Sequence, residues 1–142
     1  MMIRAFRFSD VSDLLPLYDQ LGYPVGQEEL TERLTQLFQS PAYSMLVIEV
    51  DGIVRGFLGY AKMYFFEASG FYYRILALVV DEDYRHQGLA RSLMTFLAEE
   101  GRRKGAKALA LNSGFGETRE TAHRFYQNFG FAKASYGFRY DL

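Results

Sequence analysis

Residues 71–111 constrain the fold of this chain more than any other stretch. Phe71 to Val80 is rich in β-formers and becomes apolar on both faces toward its end, the pattern of a strand central in a sheet. A helical pattern follows from about Gln87 to Lys104, with Leu89, Leu93, Phe96 and Leu97 as its buried stripe. Gly105 ends it, and Lys107 to Leu111 reads as a short buried strand. Such a strand–helix–strand unit closes into one sheet through a right-handed crossover, so its two strands should be parallel.

The rest of the chain must pack around that unit. Met2 to Phe8 reads as a first strand, and Ser9 or Asp10 then caps a helix carrying Val11, Leu14, Leu15, Tyr18 and Leu21. Gly22-Tyr23-Pro24 stops it, and a second helix runs from about Gln27 to Gln39. Asp51-Gly52 joins Met45–Val50 to Ile53–Phe66 as a tight hairpin, because both central positions of that turn need φ > 0. Gly56 and Gly59 inside the second of these strands mark a bulge, and Glu67 to Gly70 is another turn. Thr118 caps a last helix with Ala122, Phe125, Tyr126 and Phe129 on one stripe; Gly130 closes it, and Phe131 to Tyr140 gives a terminal strand or hairpin. The order is β-α-α-β-β-β-α-β-α-β. It reads as one mixed α/β domain over residues 1–142, without repeat or linker.

Composition removes several functional classes. Net charge is −1 with no basic block, which argues against nucleic acid. No apolar run approaches the roughly 18 residues of a membrane span, and the N-terminus lacks a secretory pattern, so a cytoplasmic protein is expected. Without cysteine there is no disulfide, thiolate ligand or thiol nucleophile. His86 and His123 have no metal-ligand spacing, so no metal is expected. No Gly-x-Ser-x-Gly elbow occurs. The chemistry left is transfer without a covalent enzyme intermediate. Some of the dense aromatic set Tyr60, Tyr64, Phe65, Phe66, Phe71, Tyr72 and Tyr73 should line a pocket or an interface.

The junction between the long strand and its helix carries the chemistry. Leu78-Val79-Val80 ends in an acidic turn, and Arg85-His86-Gln87-Gly88-Leu89-Ala90 opens the helix. Unpaired amides at a helix start, with the positive end of the helix dipole behind them, attract anions such as phosphates. Gly88 lets the backbone approach a ligand, Ala90 keeps the next position uncrowded, and Arg85 adds a positive charge. No Gly-Lys-Ser/Thr follows and the three-glycine spacing is missing, so the loop is neither a Walker loop nor a dinucleotide fingerprint.

Three separated signals resemble the GCN5-related N-acetyltransferase (GNAT) superfamily. They are Val80 through Ala90, Asn112 after the next strand, and Ala122-His123-Arg124-Phe125-Tyr126 followed by Gly130-Phe131. The element order agrees over essentially the whole chain. The resemblance implies a three-layer sandwich whose mostly antiparallel, twisted sheet is flanked by helices, with acetyl-CoA as donor. It implies backbone hydrogen bonds from Leu78, Val79 and Val80 to pantetheine, and a pyrophosphate site on the Arg85–Ala90 loop, at Gln87, Gly88 and Ala90 above all. It also implies Asn112 near the pantetheine and Tyr126 near the thioester sulfur, where it can act as the acid. The acceptor expected is a small primary amine, with a protein N-terminus or lysine as the alternative.

Relatives of this kind often carry a carboxylate on the central strand, and Tyr73-Arg74-Ile75-Leu76-Ala77 has none. Glu67, a water chain, or a water positioned by Tyr72 or Tyr73 remain as the general base. Two other readings stay open: a non-catalytic acyl-CoA sensor, and a partner-binding domain that uses its aromatic strand. A homodimer is compatible with each.

Overall fold

The computed structural model of the chain describes residues 1–113 and 119–142. The expected Thr118 cap lies outside the described residues. By their internal contacts the residues fall into two units, Met1–Ala110 and Leu111–Leu142.

The first unit opens with β1 (Met2–Ala5), shorter than expected because a 3-10 turn takes Phe8–Asp10. The Asp10 carboxylate is committed to that turn: it accepts the Arg7 N–H at 2.8 Å and is gripped by Arg4 at 2.7 Å. The helix α1 (Val11–Leu21) follows without a side-chain cap and ends on Gly22 at φ +97°. Next come α2 (Gln27–Leu37), β2 (Tyr43–Val50), β3 (Ile53–Tyr64), β4 (Phe71–Val80), α3 (Leu89–Lys104) and β5 (Leu109–Leu111). Asp51 and Gly52 both have positive φ, as their tight turn requires.

Among the described residues the sheet has the order β1-β2-β3-β4-β5. The first three pairings are antiparallel. At the fourth, the Lys107 N–H donates to Phe71 O and the Tyr73 N–H to Ala108 O. These bonds advance together along both chains, as the expected parallel pairing requires. β4 is interior, but β3 holds the middle.

Two bulges break the ladder beside the two glycines. Ile48 pairs with Gly56 and Glu49 with Val54, which leaves Arg55 as the extra residue of β3. Gly59 pairs with Ala77 and Tyr60 with Ile75, which leaves Leu76 as the extra residue of β4. Gly56 is needed for close strand approach, since a Cβ there would sit 2.9 Å from the Val79 carbonyl oxygen.

Alternate strand residues feed two cores. Val11, Leu14, Leu17, Leu30 and Leu34 pack with Met45, Val47, Val54, Phe57 and Val79. The other sheet face carries buried Leu46, Ile48 and Leu58, and α3 supplies buried Leu89, Leu93, Met94 and Leu97. Phe96, expected in the α3 stripe, is 38% exposed, and Met94 takes the buried place. At about 100° per residue, Met94 lies beyond Leu97 on the side where Gly101 is also buried, whereas Phe96 lies at the opposite margin, beyond Leu89.

In the second unit, α4 spans Glu120–Phe129 and stops at Gly130 with φ +128°. The expected terminal strand or hairpin is not formed. Residues 131–142 have no regular structure and no positive φ, and residues 132–142 make no backbone–backbone hydrogen bond among the described residues. A strand exists only when another strand satisfies its backbone, and none among the described residues does so. No described helix is long and apolar enough to cross a membrane.

Candidate active site

β4 outruns its parallel neighbour. β5 is tied in near Phe71 and Tyr73 and ends at Leu111, whereas β4 continues to Val80. Along Leu78, Val79 and Val80 one backbone edge pairs with Leu58, Phe57 and Gly56. The other edge meets no strand among the described residues. An extended ligand could add there as a further strand.

The chain then turns sharply, and one carboxylate organises the turn. Asp81 is 7% exposed. It accepts the Asp83 N–H at 3.1 Å, Arg55 Nη1 at 3.3 Å and Gln20 Nε2 at 3.4 Å. Its own N–H donates to the Arg55 carbonyl at 2.7 Å, and the Tyr84 N–H returns to the Asp81 carbonyl at 2.8 Å. Gln20 also accepts the Glu82 N–H at 2.8 Å. The Arg55 guanidinium lies over the Tyr84 ring, 4.5 Å from its centroid. The β3 bulge thus delivers Arg55 to the turn, and α1 supports the turn through Gln20. A buried carboxylate with three donors is a satisfied anchor.

The loop beyond this anchor has the backbone of an anion cradle. His86 and Gly88 are both left-handed, at φ +63° and +81°. Such alternation makes successive N–H groups converge. A left-handed histidine costs on the order of 1 kcal/mol, strain of the kind that collects at binding loops. Gly88 stands at the head of α3, and the Ser92 N–H, bonded to Gly88 O at 2.9 Å, is an i−4 bond of the first turn. The Leu89 and Ala90 amides precede it and have no intrahelical acceptor. A Cβ on Gly88 would meet nothing within 4 Å, so the demand for glycine is the positive φ and the open approach. Leu89 is buried and anchors the helix start, Ala90 is half-buried, and His86 and Gln87 are exposed. Arg85 is exposed and reaches back to Val80 O at a long 3.4 Å. The structure therefore gathers Leu78–Val80 and Arg85–Ala90 around one turn. Sequence reading missed Gln20 and Arg55, and it read Asp81 only as part of an acidic turn.

The aromatic cluster does line a cleft. Tyr60, Phe71 and Tyr73, with Ser44, Lys62 and Lys104, border about 400 Å³ of space on the first unit. Tyr60 and Tyr73 meet edge to face at 5.0 Å, and burial pushes the Tyr60 hydroxyl above its ordinary range. Glu67 is exposed in the turn before β4, and Phe66 is fully exposed.

The second unit holds the two remaining candidates. Tyr126 is half-buried on α4, with its ring edge-on to Phe125 at 5.7 Å and to Phe131 at 6.1 Å. Burial raises its hydroxyl pKa above the ordinary tyrosine value, against a smaller opposing effect of Arg119. The phenol therefore stays protonated across the physiological range. Asn112 is exposed and directs its amide toward Gly137, whose added Cβ would lie 3.6 Å from Nδ2. Among the described residues no cluster of three acidic, histidine or cysteine side chains could hold a metal ion.

Comparison with known proteins agrees with this architecture. No curated protein matches the chain. A GNAT family acetyltransferase of Staphylococcus aureus is 30% identical, with 99% of this chain and 98% of that chain covered and a TM-score of 0.87. A ribosomal-protein-alanine N-acetyltransferase of Brucella melitensis shares the fold at 22% identity, 99% and 100% coverage and TM-score 0.79. AAC(6')-Iy, solved with a CoA-containing bisubstrate analog, shares it at 17% identity, 99% and 97% coverage and TM-score 0.82. The family model for the acetyltransferase (GNAT) family matches residues 10–131, and the chain belongs to that family.

Proposed function

We propose that the protein is an acetyl-CoA-dependent N-acetyltransferase, cytoplasmic and acting as one domain over residues 1–142, that transfers acetyl to a small primary amine. The observation that carries this reading is the left-handed Gly88 at the head of α3, next to the unpaired edge of β4. These groups suit the donor: an amide-bearing pantetheine along Leu78, Val79 and Val80, and a pyrophosphate on the amides of Gln87, Gly88, Leu89 and Ala90, with Arg85 and His86 at its rim. Asn112 supplies a further hydrogen-bonding group for the pantetheine. AAC(6')-Iy was solved with the bisubstrate analog CoA-S-monomethyl-acetylneamine, which favours a small-molecule acceptor. The Brucella protein, named for a ribosomal-protein alanine, keeps a protein N-terminus as the second reading.

The transfer is direct. The amine nitrogen attacks the thioester carbonyl, the C–N bond forms, and the C–S bond breaks with its electron pair leaving on sulfur. A backbone N–H on the open edge of β4 near Leu78–Val80 meets the developing oxyanion; a donor of this kind contributes about 3–4 kcal/mol. Tyr126, kept protonated by burial, donates to the departing sulfur. The amine's proton is released, so the products are the acetamide and the free thiol. Holding both substrates in line supplies much of the remaining acceleration.

A thiol-release assay over a panel of primary amines tests this. Tyr126→Phe should lower kcat by about a hundredfold or more while acetyl-CoA affinity stays within about twofold. A native protein that binds acetyl-CoA but turns over no amine, with Tyr126→Phe indistinguishable from it, would replace the enzyme with a sensor.

A further inference from the structure

Among the described residues three arginines are half-buried, and two of them hold carboxylates. Arg4 pairs with Asp10 at 2.7 Å and with Glu49 at 3.1 Å. Arg55 pairs with Asp81 at 3.3 Å. Arg74 on β4 meets no carboxylate among the described residues. A guanidinium taken partly out of water needs an anion to offset its lost hydration. The register fixes the side of the sheet on which Arg74 stands. Tyr73, the residue before it, lies against α3, since a Cβ on Gly101 would come 3.5 Å from its ring. Arg74 therefore stands on the opposite side, the one that α1 and α2 cover. Ala77 and Val79 pack on that same side, because the extra residue Leu76 returns them to it. Ala61 is opposite Arg74 and Gly59 is opposite Ala77, so β3 sets no bulky side chain between them. Tyr72 shares the side and stacks its ring near Phe65 at 4.9 Å, which closes the far end with apolar surface. Arg74 precedes Leu78 by four residues, at most about 13 Å along the strand.

We propose that Arg74 selects the acceptor: the amine carries a carboxylate or phosphate group, which Arg74 binds while the amine nitrogen reaches the thioester carbonyl near Leu78. This deepens the N-acetyltransferase reading and rests on it. A guanidinium presents a planar fork that matches either anion through two parallel hydrogen bonds. Its side chain spans part of the distance to Leu78, and the remainder suits an acceptor with several bonds between its amine and its anion. The stretch from Tyr73 to Ala77 holds a cation and no carboxylate, so its charge acts on acceptors in two directions. It draws in an amine that ends in an anion. It repels one that ends in a second ammonium, and so disfavours polyamines. Arg74 is thus a specificity-determining residue, and the reacting atoms are left to the open edge of β4 and to Tyr126.

Matched amines read this directly. γ-Aminobutyrate, aminobutanol and putrescine are of similar length and end in an anion, a hydroxyl and a cation. Shorter and longer amino carboxylates extend the series, and aminopropylphosphonate separates a phosphate preference from a carboxylate one. In a thiol-release assay, kcat/KM for the best anionic amine should exceed that of its hydroxyl counterpart by about ten- to a hundredfold, with putrescine poorest. Arg74→Gln should bring that ratio to about one. Arg74→Lys should keep part of it, as a point charge without the fork. Arg74→Glu should put putrescine first. Because Arg74→Gln breaks no ion pair among the described residues, it should unfold at the same urea concentration as the native chain. A native protein that takes the hydroxyl amines as readily as every anionic one overturns the inference and leaves the enzyme reading standing. So does an Arg74→Gln variant that lowers all amines alike, the mark of a structural role. Turnover of no amine at all overturns the enzyme reading itself, and the inference falls with it.

Discussion

Removing the Asp81 carboxylate should loosen the loop that heads α3. In Asp81→Ala the Asp83 N–H loses its 3.1 Å acceptor, a capping-type bond whose loss costs about 1 kcal/mol. Arg55 loses its ion pair at 3.3 Å, between side chains that are 25% and 10% exposed. A half-sheltered, charge-assisted contact of that kind contributes about 1–1.5 kcal/mol. The Gln20 contact at 3.4 Å is too long to add much. The total is about 2–2.5 kcal/mol, and at roughly 3 °C per kcal/mol for a chain of this size the melting temperature should fall by about 6–8 °C. Asp81→Asn keeps an acceptor for the Asp83 N–H but loses the charge, and should cost about half as much. Urea unfolding gives the free energy, and calorimetric titration with acetyl-CoA gives the effect on the loop. Affinity should drop by more in Asp81→Ala than in Asp81→Asn. A change below about 0.5 kcal/mol in Asp81→Ala, the level of an ordinary surface substitution, would refute the role given to this carboxylate.

Three further outcomes are expected. Gly56→Ala should cost about 1–3 kcal/mol in urea unfolding, because its Cβ would press on the Val79 carbonyl at 2.9 Å, while Gly59→Ala, with only the Ala77 Cβ at 3.9 Å, should cost far less. Arg4, by its paired hydrogen bonds above all, holds the Asp10 carboxyl below its ordinary 3.8. Its contribution is therefore complete above about pH 4 and is lost as pH falls through the folded value, and Arg4→Met should flatten that acid limb of stability. Tyr126, raised above ordinary tyrosine by burial, should give turnover no declining limb below about pH 10, and any limb above that should vanish in Tyr126→Phe.

Periodicity made most of the fold legible. The Asp51-Gly52 hairpin, the parallel closure of β4 with β5 and the glycine stops at Gly22 and Gly105 all follow from local signals, and all are present. The helix faces were less legible: Met94 and Phe96 differ by two positions, and sequence alone cannot fix where the sheet cuts the stripe. The terminal strand failed for a different reason. Its alternation is real, but a strand needs a partner, and local pattern does not supply one. At the site, Arg85 to Ala90 could be read directly because a helix start is a local feature. The anchor beneath it could not, since Gln20 is 62 residues from Glu82 and Arg55 reaches Asp81 through a bulge. Asp81 two residues before Asp83 was the one local hint, the spacing of a side chain that caps its own turn.

The most direct test of the donor site is a calorimetric titration of the purified protein with acetyl-CoA, run beside Gly88→Glu. That substitution puts a side chain and a negative charge at a φ of +81°, where the phosphates should rest. Binding at about micromolar affinity, abolished in a folded Gly88→Glu variant, is the expected result. No heat from the folded native protein even at about millimolar acetyl-CoA would contradict it, and would leave the left-handed turn at Gly88 as an ordinary helix start.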